Sequence, residues 1–140
     1  MTIIAIHGSC LCGAVTFASA PPFQLMVHCH CSRCRKSSGA AHATNLTVAP
    51  DQFHWLSGEA SIGRFDLAGA KSYGKWFCRQ CGCPVPRLVR SGKFFVIPAG
   101  SLDSDPPLSP SGHIFWGSRA NWSCSSGGLP THEEYPTARI

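Results

Sequence analysis

The sequence predicts a mainly β fold of small antiparallel sheets organised around two metal sites, and three observations predict it. Fourteen Gly and eleven Pro among 140 residues impose frequent turns, which short strands tolerate and long helices do not. From Ala40 to Gly100 the chain is a succession of short apolar runs separated by Asp51, Ser57-Gly58, Ala68-Gly69 and Ser91-Gly92, ordinary turn chemistry. Seven of the nine cysteines stand in tight groups, C-x-C, C-x-C-x2-C and C-x2-C, the spacing of metal ligands. The expected architecture is two small sheets rather than a parallel sheet with helical crossovers.

The elements follow in order. A short opening strand leads to Cys10-Leu11-Cys12-Gly13, and Ala14–Ala18 reads as a strand with Val15 and Phe17 on one face, ended by Pro21-Pro22. A strand over Gln24–Cys29 delivers the central cysteines. Ser32–Ser38 is predicted as a helical turn with Ser32 as its N-cap and Gly39 at its end. Six β-like runs come next, at Thr44–Val48, Gln52–Leu56, Ile62–Leu67, Lys71–Phe77, Val85–Val89 and Phe94–Ala99. From Ser101 the chain is rich in Pro, Ser and Gly, and beyond His113-Ile114-Phe115-Trp116 no periodicity survives. Phe115, Trp116, Trp122 and Tyr135 give this tail apolar surface with which to dock on the sheets.

Length and charge bound the function. One domain over residues 1–140 is expected, since a chain of this size buries roughly 68–70% of its unfolded surface. With 44% apolar and 14% charged residues it is not a disordered chain. The net charge of +5 is spread along the sequence, whereas a nucleic-acid face needs dense clustering; a small acidic substrate fits better. Met1–His7 has no basic leader and no stretch is long enough to span a membrane. The expectation is a cytoplasmic protein whose cysteines hold metal rather than disulfides.

The cysteine spacing divides the ligands. Cys10 and Cys12 joined to Cys78 and Cys81 supply the four thiolates of a closed, structural zinc site, with Gly82 providing a permissive backbone for the second turn. Cys29 and Cys31 point to one face of an extended strand and Cys34 swings in from the next turn. Three ligands leave a zinc ion one open position, the arrangement of a catalytic site. Cys83 could complete this group as a fourth thiolate, and that alternative stays open. Cys124 reads as a bystander. His28 and His30 alternate with the central cysteines and so face away from the metal, while His7, His42, His54, His113 and His132 have no ligand spacing.

The segments Gly8-Ser9-Cys10-Leu11-Cys12-Gly13, Cys29-His30-Cys31-Ser32-Arg33-Cys34-Arg35-Lys36-Ser37-Ser38-Gly39, Ser57-Gly58-Glu59 and Phe77-Cys78-Arg79-Gln80-Cys81-Gly82 carry a resemblance. So do Ala99-Gly100-Ser101-Leu102-Asp103, His113-Ile114-Phe115, Ser118-Arg119-Ala120 and Trp122. Taken in order, they resemble the glutathione-dependent formaldehyde-activating enzyme (GFA, or centromere-protein-V-like) family. The resemblance implies an Mss4-like β fold with two zinc ions, one structural at Cys10, Cys12, Cys78 and Cys81 and one in the active site at Cys29, Cys31 and Cys34. It also implies carbon-sulfur lyase chemistry joining glutathione to formaldehyde, or the reverse.

In that chemistry a small-molecule thiol and an aldehyde are the partners and glutathione is the co-substrate. Arg33, Arg35 and Lys36, beside the site, could hold glutathione carboxylates or form a solvated basic turn. Ser37 and Ser38 could donate hydrogen bonds or cap a turn, and Asp103 and Glu59 could carry protons or close turns. Two other functions compete: a non-catalytic zinc-ribbon-like interaction module, favoured by a ligating Cys83, and methionine sulfoxide reduction through a reactive Cys83 or Cys124. Oligomeric state has no signal in the sequence.

Overall fold

The computed structural model describes residues 5–123 and 128–136. Among these, β1 (Ile6–Ser9), β2 (Thr16–Ser19) and β5 (Phe53–Ser57) form one antiparallel sheet in the order β1-β2-β5. A second sheet is built from β3 (Phe23–Cys29), β4 (Ala43–Val48), β8 (Arg87–Leu88), β9 (Phe95–Pro98) and β10 (His113–Ile114), ordered β10-β3-β4-β9-β8. The third is the hairpin of β6 (Ile62–Asp66) and β7 (Gly74–Cys78). The one α-helix among the described residues, α1 (Ser32–Ser38), follows β3.

The mainly β prediction holds, with corrections of detail. The described residues form three sheets, not two, because a 3-10 turn at Glu59–Ser61 turns β6 away from β5. One pairing is parallel: β10 lies along β3, with His113 opposite His28 and Ile114 opposite Cys29. The strand expected over Val85–Val89 shrinks to two residues, because Pro84 and Pro86 remove ladder donors on either side of Val85. The strand expected from Lys71 begins at Gly74, since the carbonyls of Ala70, Lys71 and Tyr73 are taken by the Arg90 guanidinium. The tail does not bury its aromatics: Phe115, Trp116, Trp122 and Tyr135 are 63%, 42%, 66% and 90% exposed.

Alternation along the strands builds two cores. Phe17, Met26, Leu46, Val48, Phe53, Phe95 and Ile97 form the larger, in which the Phe53 ring stacks on Phe95 at 4.1 Å and on Phe17 at 5.6 Å. Each such side chain contributes about 1.5–3 kcal/mol by leaving water. The smaller core is Cys10, Val15, Ile62, Cys78 and Val85, so two of its five members are candidate metal ligands. Trp55 and Trp76 pack against both cores and stack on each other at 6.5 Å. The small core therefore couples whatever happens at the sulfurs to the rest of the fold.

Candidate metal centres

Two turns bring the first four cysteines together. In one, the Gly13 N–H donates to the Cys10 carbonyl at 3.0 Å; in the other, the Gly82 N–H donates to the Cys78 carbonyl at 2.7 Å, with Gly82 at φ 74° as expected of a turn-closing glycine. The sulfurs of Cys10, Cys12, Cys78 and Cys81 all lie within 4.8 Å of one another. Cys10 Sγ is 3.6 Å from Cys12 Sγ, which is 3.8 Å from Cys78 Sγ. A tetrahedral ion with Zn–S bonds of about 2.3 Å sets its sulfurs about 3.8 Å apart, so the donor set has the size and chemistry of a zinc cage. Backbone N–H groups of Val15 and Gln80 donate to Cys10 Sγ and Cys78 Sγ at 3.3 and 3.4 Å, and the first of these favours the Cys10 thiolate.

The thiols of this group differ sharply in acidity. Hydrogen bonds from the backbone N–H groups of Cys83 and Cys12 hold Cys81 down to about 6. The Ala14 N–H favours the Cys12 thiolate, but burial and the three neighbouring sulfurs outweigh it and push Cys12 up to about 12. One sulfur is thus ready to meet a cation at neutral pH and another gives up its proton only to one.

The second group is Cys29 at the end of β3, Cys31 just after it and Cys34 in the first turn of α1, again with sulfurs within 4.8 Å. Cys31, not Ser32, is the N-cap: its sulfur accepts the Cys34 N–H at 3.3 Å. The sequence points to Ser32 because hydroxyl and carboxamide side chains are the usual caps, whereas here a thiol one residue earlier fills the position. Gly39 closes the helix as expected, in the left-handed conformation with its N–H on the Arg35 carbonyl. Burial pushes the Cys34 and Cys29 thiols up; at Cys31 burial is outweighed by the Cys34 N–H and by the neighbouring sulfurs, and its thiol is lowered.

Cys83 does not join this triplet: its sulfur belongs to neither group, and its carbonyl accepts the Cys78 N–H at 2.9 Å. Cys124 lies outside the described residues. His28 leaves the sheet on the face opposite Cys29, since it pairs with Thr44 and hydrogen-bonds that side chain at 2.7 Å while Cys29 pairs with Ala43.

A cavity of about 730 Å3 lies between the two cysteine groups, reached by Cys34 from one and Cys10 from the other. Ser37, Ser38, Asp103 and Cys83 line it. The Asp103 carboxylate accepts the Ser9 hydroxyl at 2.9 Å, while Glu59 is exposed at a 3-10 turn and does not line the cavity. Arg33, Arg35 and Lys36 lie outside it. Arg33 stacks its guanidinium 5.9 Å from the Tyr73 ring centre, Arg35 donates to the Ser118 carbonyl at 3.2 Å, and Arg35 and Lys36 line a separate recess of about 220 Å3 beside Trp122.

Sequence reasoning missed Tyr73, Lys75 and Arg87, which line the main cavity. Lys75 donates to the Ser37 carbonyl at the end of α1, and the Tyr73 hydroxyl and Ser37 hydroxyl are 2.6 Å apart. Burial pushes the Lys75 ammonium and the Arg87 guanidinium down, against the pull of the Cys34 sulfur upward. The one ion pair among the described residues is Arg90 with Asp66 at 3.7 Å, so neither of these half-buried cations has a carboxylate partner. The available signal was a lysine interrupting an otherwise apolar strand just before Phe77-Cys78.

Residues 5–118 match the sequence model of the family described as glutathione-dependent formaldehyde-activating enzyme. A Halomonas elongata protein, provisionally named a glutathione-dependent formaldehyde-activating enzyme, is 32% identical over 123 residues, covering 84% of this chain and 78% of its own. A crystal structure of a Rhodobacter sphaeroides protein superposes with a TM-score of 0.58 at 22% identity, covering 76% of this chain and 98% of that one, a likeness of fold. The small sheets and two cysteine groups are those of an Mss4-like fold.

Proposed function

We propose that this chain, which belongs to the glutathione-dependent formaldehyde-activating enzyme family, is a zinc-dependent carbon-sulfur lyase that makes or breaks a glutathione-aldehyde adduct in the cavity beside Cys34. The observation that carries the reading is the inequality of the two sulfur groups: four ligands in one, three in the other, with the three-membered group reaching a cavity of about 730 Å3 through Cys34. Cys10, Cys12, Cys78 and Cys81 would hold a structural zinc, and Cys29, Cys31 and Cys34 a catalytic one. When bound at the three-sulfur group, zinc supplies a Lewis acid for the aldehyde oxygen or lowers the pKa of an incoming thiol.

The residues of the chain supply binding and orientation. Lys75 and Arg87, half-buried without carboxylate partners, offer two cationic contacts to the carboxylates of a glutathione-like thiol, Arg87 through its planar fork. Arg35 and Lys36 line the separate recess beside Trp122, and Arg33 lies over the outer face of the Tyr73 ring, so the three would meet only a portion of substrate extending beyond the cavity. Cys31, as helix cap and ligand together, fixes the first turn of α1 and so the position of Cys34. Asp103, held by Ser9 at the cavity wall, is the carboxylate placed to accept or return a proton.

Purified protein incubated with glutathione and formaldehyde should form the hydroxymethyl adduct faster than the uncatalysed mixture, and Cys31→Ser should abolish the gain while the four-sulfur group keeps its ion. Equal rates for wild type and variant would reject catalysis through this group.

A further inference from the structure

The cavity beside Cys34 is larger than glutathione and formaldehyde require. Its volume is about 730 Å3. Glutathione has about twenty non-hydrogen atoms, which at the close packing of organic matter, roughly 18 Å3 apiece, take about 360 Å3. Formaldehyde adds about the volume of one water, about 30 Å3. About 340 Å3 of the cavity is then left unfilled.

Strand pairing fixes what borders that space. Ala43 stands opposite Cys29, Asn45 opposite Pro98, and Val96 is paired with Thr47 on one side and Arg87 on the other. Because alternate residues share a face, the cavity floor runs on one side of the sheet from Cys29 across Asn45 to Pro98, Val96 and Arg87. Arg87 marks its polar end: the guanidinium lies 5.6 Å from the centre of the Tyr73 ring, and Lys75 donates to the Ser37 carbonyl beside them. Two residues along β9 from Val96, about 7 Å, Pro98 begins the other end. Gly100 follows, and Asp103 there holds Ser9 and with it the Cys10–Gly13 turn that carries Leu11. Trp76 and Pro84 complete an apolar wall. Leu11 is 86% exposed; a single exposed leucine is ordinary, but this one borders apolar space that the small reactants leave empty.

We propose, resting on the glutathione reading above, that the site takes aldehydes with an apolar chain of about six to eight carbons, held along Pro98, Trp76 and Pro84 beneath Leu11. The reaction keeps its form. The thiol sulfur bonds to the carbonyl carbon, the carbonyl π pair moves to oxygen, and the thiol's proton ends there as a hydroxyl, so neither oxidant nor reductant is needed. Formaldehyde offers this wall nothing to hold. Each methylene of a longer aldehyde that leaves water against it is worth about fourfold in affinity.

The test uses zinc-loaded protein and two unreactive mimics of the adduct, S-methylglutathione and S-hexylglutathione, titrated by calorimetry, followed by turnover of hexanal. Wild type should bind the hexyl compound at least about fifteenfold more tightly, the worth of two buried methylenes, and should speed the addition of glutathione to hexanal above the uncatalysed rate. A smaller preference, or turnover of formaldehyde without turnover of hexanal, overturns the proposal and leaves the glutathione reading standing. No binding of either compound and no turnover of either aldehyde overturns both. Two variants locate the chain. An added Cβ at Gly100 meets nothing within 4 Å, so Gly100→Leu should fill this end without strain and cut the preference to about threefold or less. Leu11→Ser should lower it about fourfold, the worth of one methylene contact. A preference unchanged in both variants puts the hexyl group elsewhere and overturns the assignment.

Discussion

Withdrawing the ion from Cys10, Cys12, Cys78 and Cys81 should unfold the protein. The site joins Cys12 to Cys78 across 66 residues, and the length-dependent part of closing such a loop costs about 4 kcal/mol. Val15, Ile62 and Val85, the apolar remainder of the small core, return at most about 9 kcal/mol between them. A structural zinc contributes about 10–16 kcal/mol, as much as or more than the whole net stability of an ordinary domain, about 5–15 kcal/mol. Because Trp55 and Trp76 lean on both cores, loss of the small one removes support from the large one. The assay is a far-UV melt of protein stripped by chelator, with metal analysis on the same sample, beside Cys12→Ser, whose exposed side chain leaves no hole in the core. A zinc-free sample with its far-UV signal and melting temperature intact would refute the reasoning.

Three further outcomes are expected. A Cβ added at Gly8 would stand 2.1 Å from Phe17 Cζ, so Gly8→Ala should lose about 1–3 kcal/mol in urea unfolding through overpacking; an unchanged midpoint would show that the ring has room to move. Zinc uptake by the four-sulfur group at pH 7.5 should release fewer than four protons, because Cys81, held down to about 6, is already a thiolate. As the pH falls through about 6 the release should rise and the affinity drop, read by calorimetry in buffers of different ionisation enthalpy; a constant four would contradict the assignment. Lys75→Gln and Arg87→Gln should each raise KM for glutathione about tenfold, the worth of one charge-assisted hydrogen bond, and leave KM for a neutral thiol unchanged; an equal rise for both thiols would mean that the residues only support the wall.

The cysteine groups and most strands were legible because each is written locally: C-x-C and C-x2-C are contiguous, and Thr44–Val48 or Ile62–Leu67 announce themselves by composition and flanking turns. The helix over Ser32–Ser38 was legible to the residue, its cap only to within one, since sulfur is not an expected N–H acceptor. What could not be read is what sheet pairing assembles. His28, His42 and His113 carry no common spacing; they meet because β3 pairs with β4 on one side and β10 on the other. Lys75 and Arg87 likewise come from separate sheets, and only the folded chain turns both toward Cys34. Apolar content predicted docking for the tail aromatics, but without a periodic pattern nothing obliges Phe115 or Trp122 to face the core.

The parallel ribbon at residues 113–114 carries a biosynthetic consequence. The strand ending at Cys29 emerges from the ribosome early, yet its outer edge stays bare until a segment more than eighty positions downstream has been translated. Nascent or truncated chains ending before His113 therefore present unpaired amides and carbonyls, an invitation to association with other chains. Timely metal capture and protection of that margin would govern how much newly made protein survives.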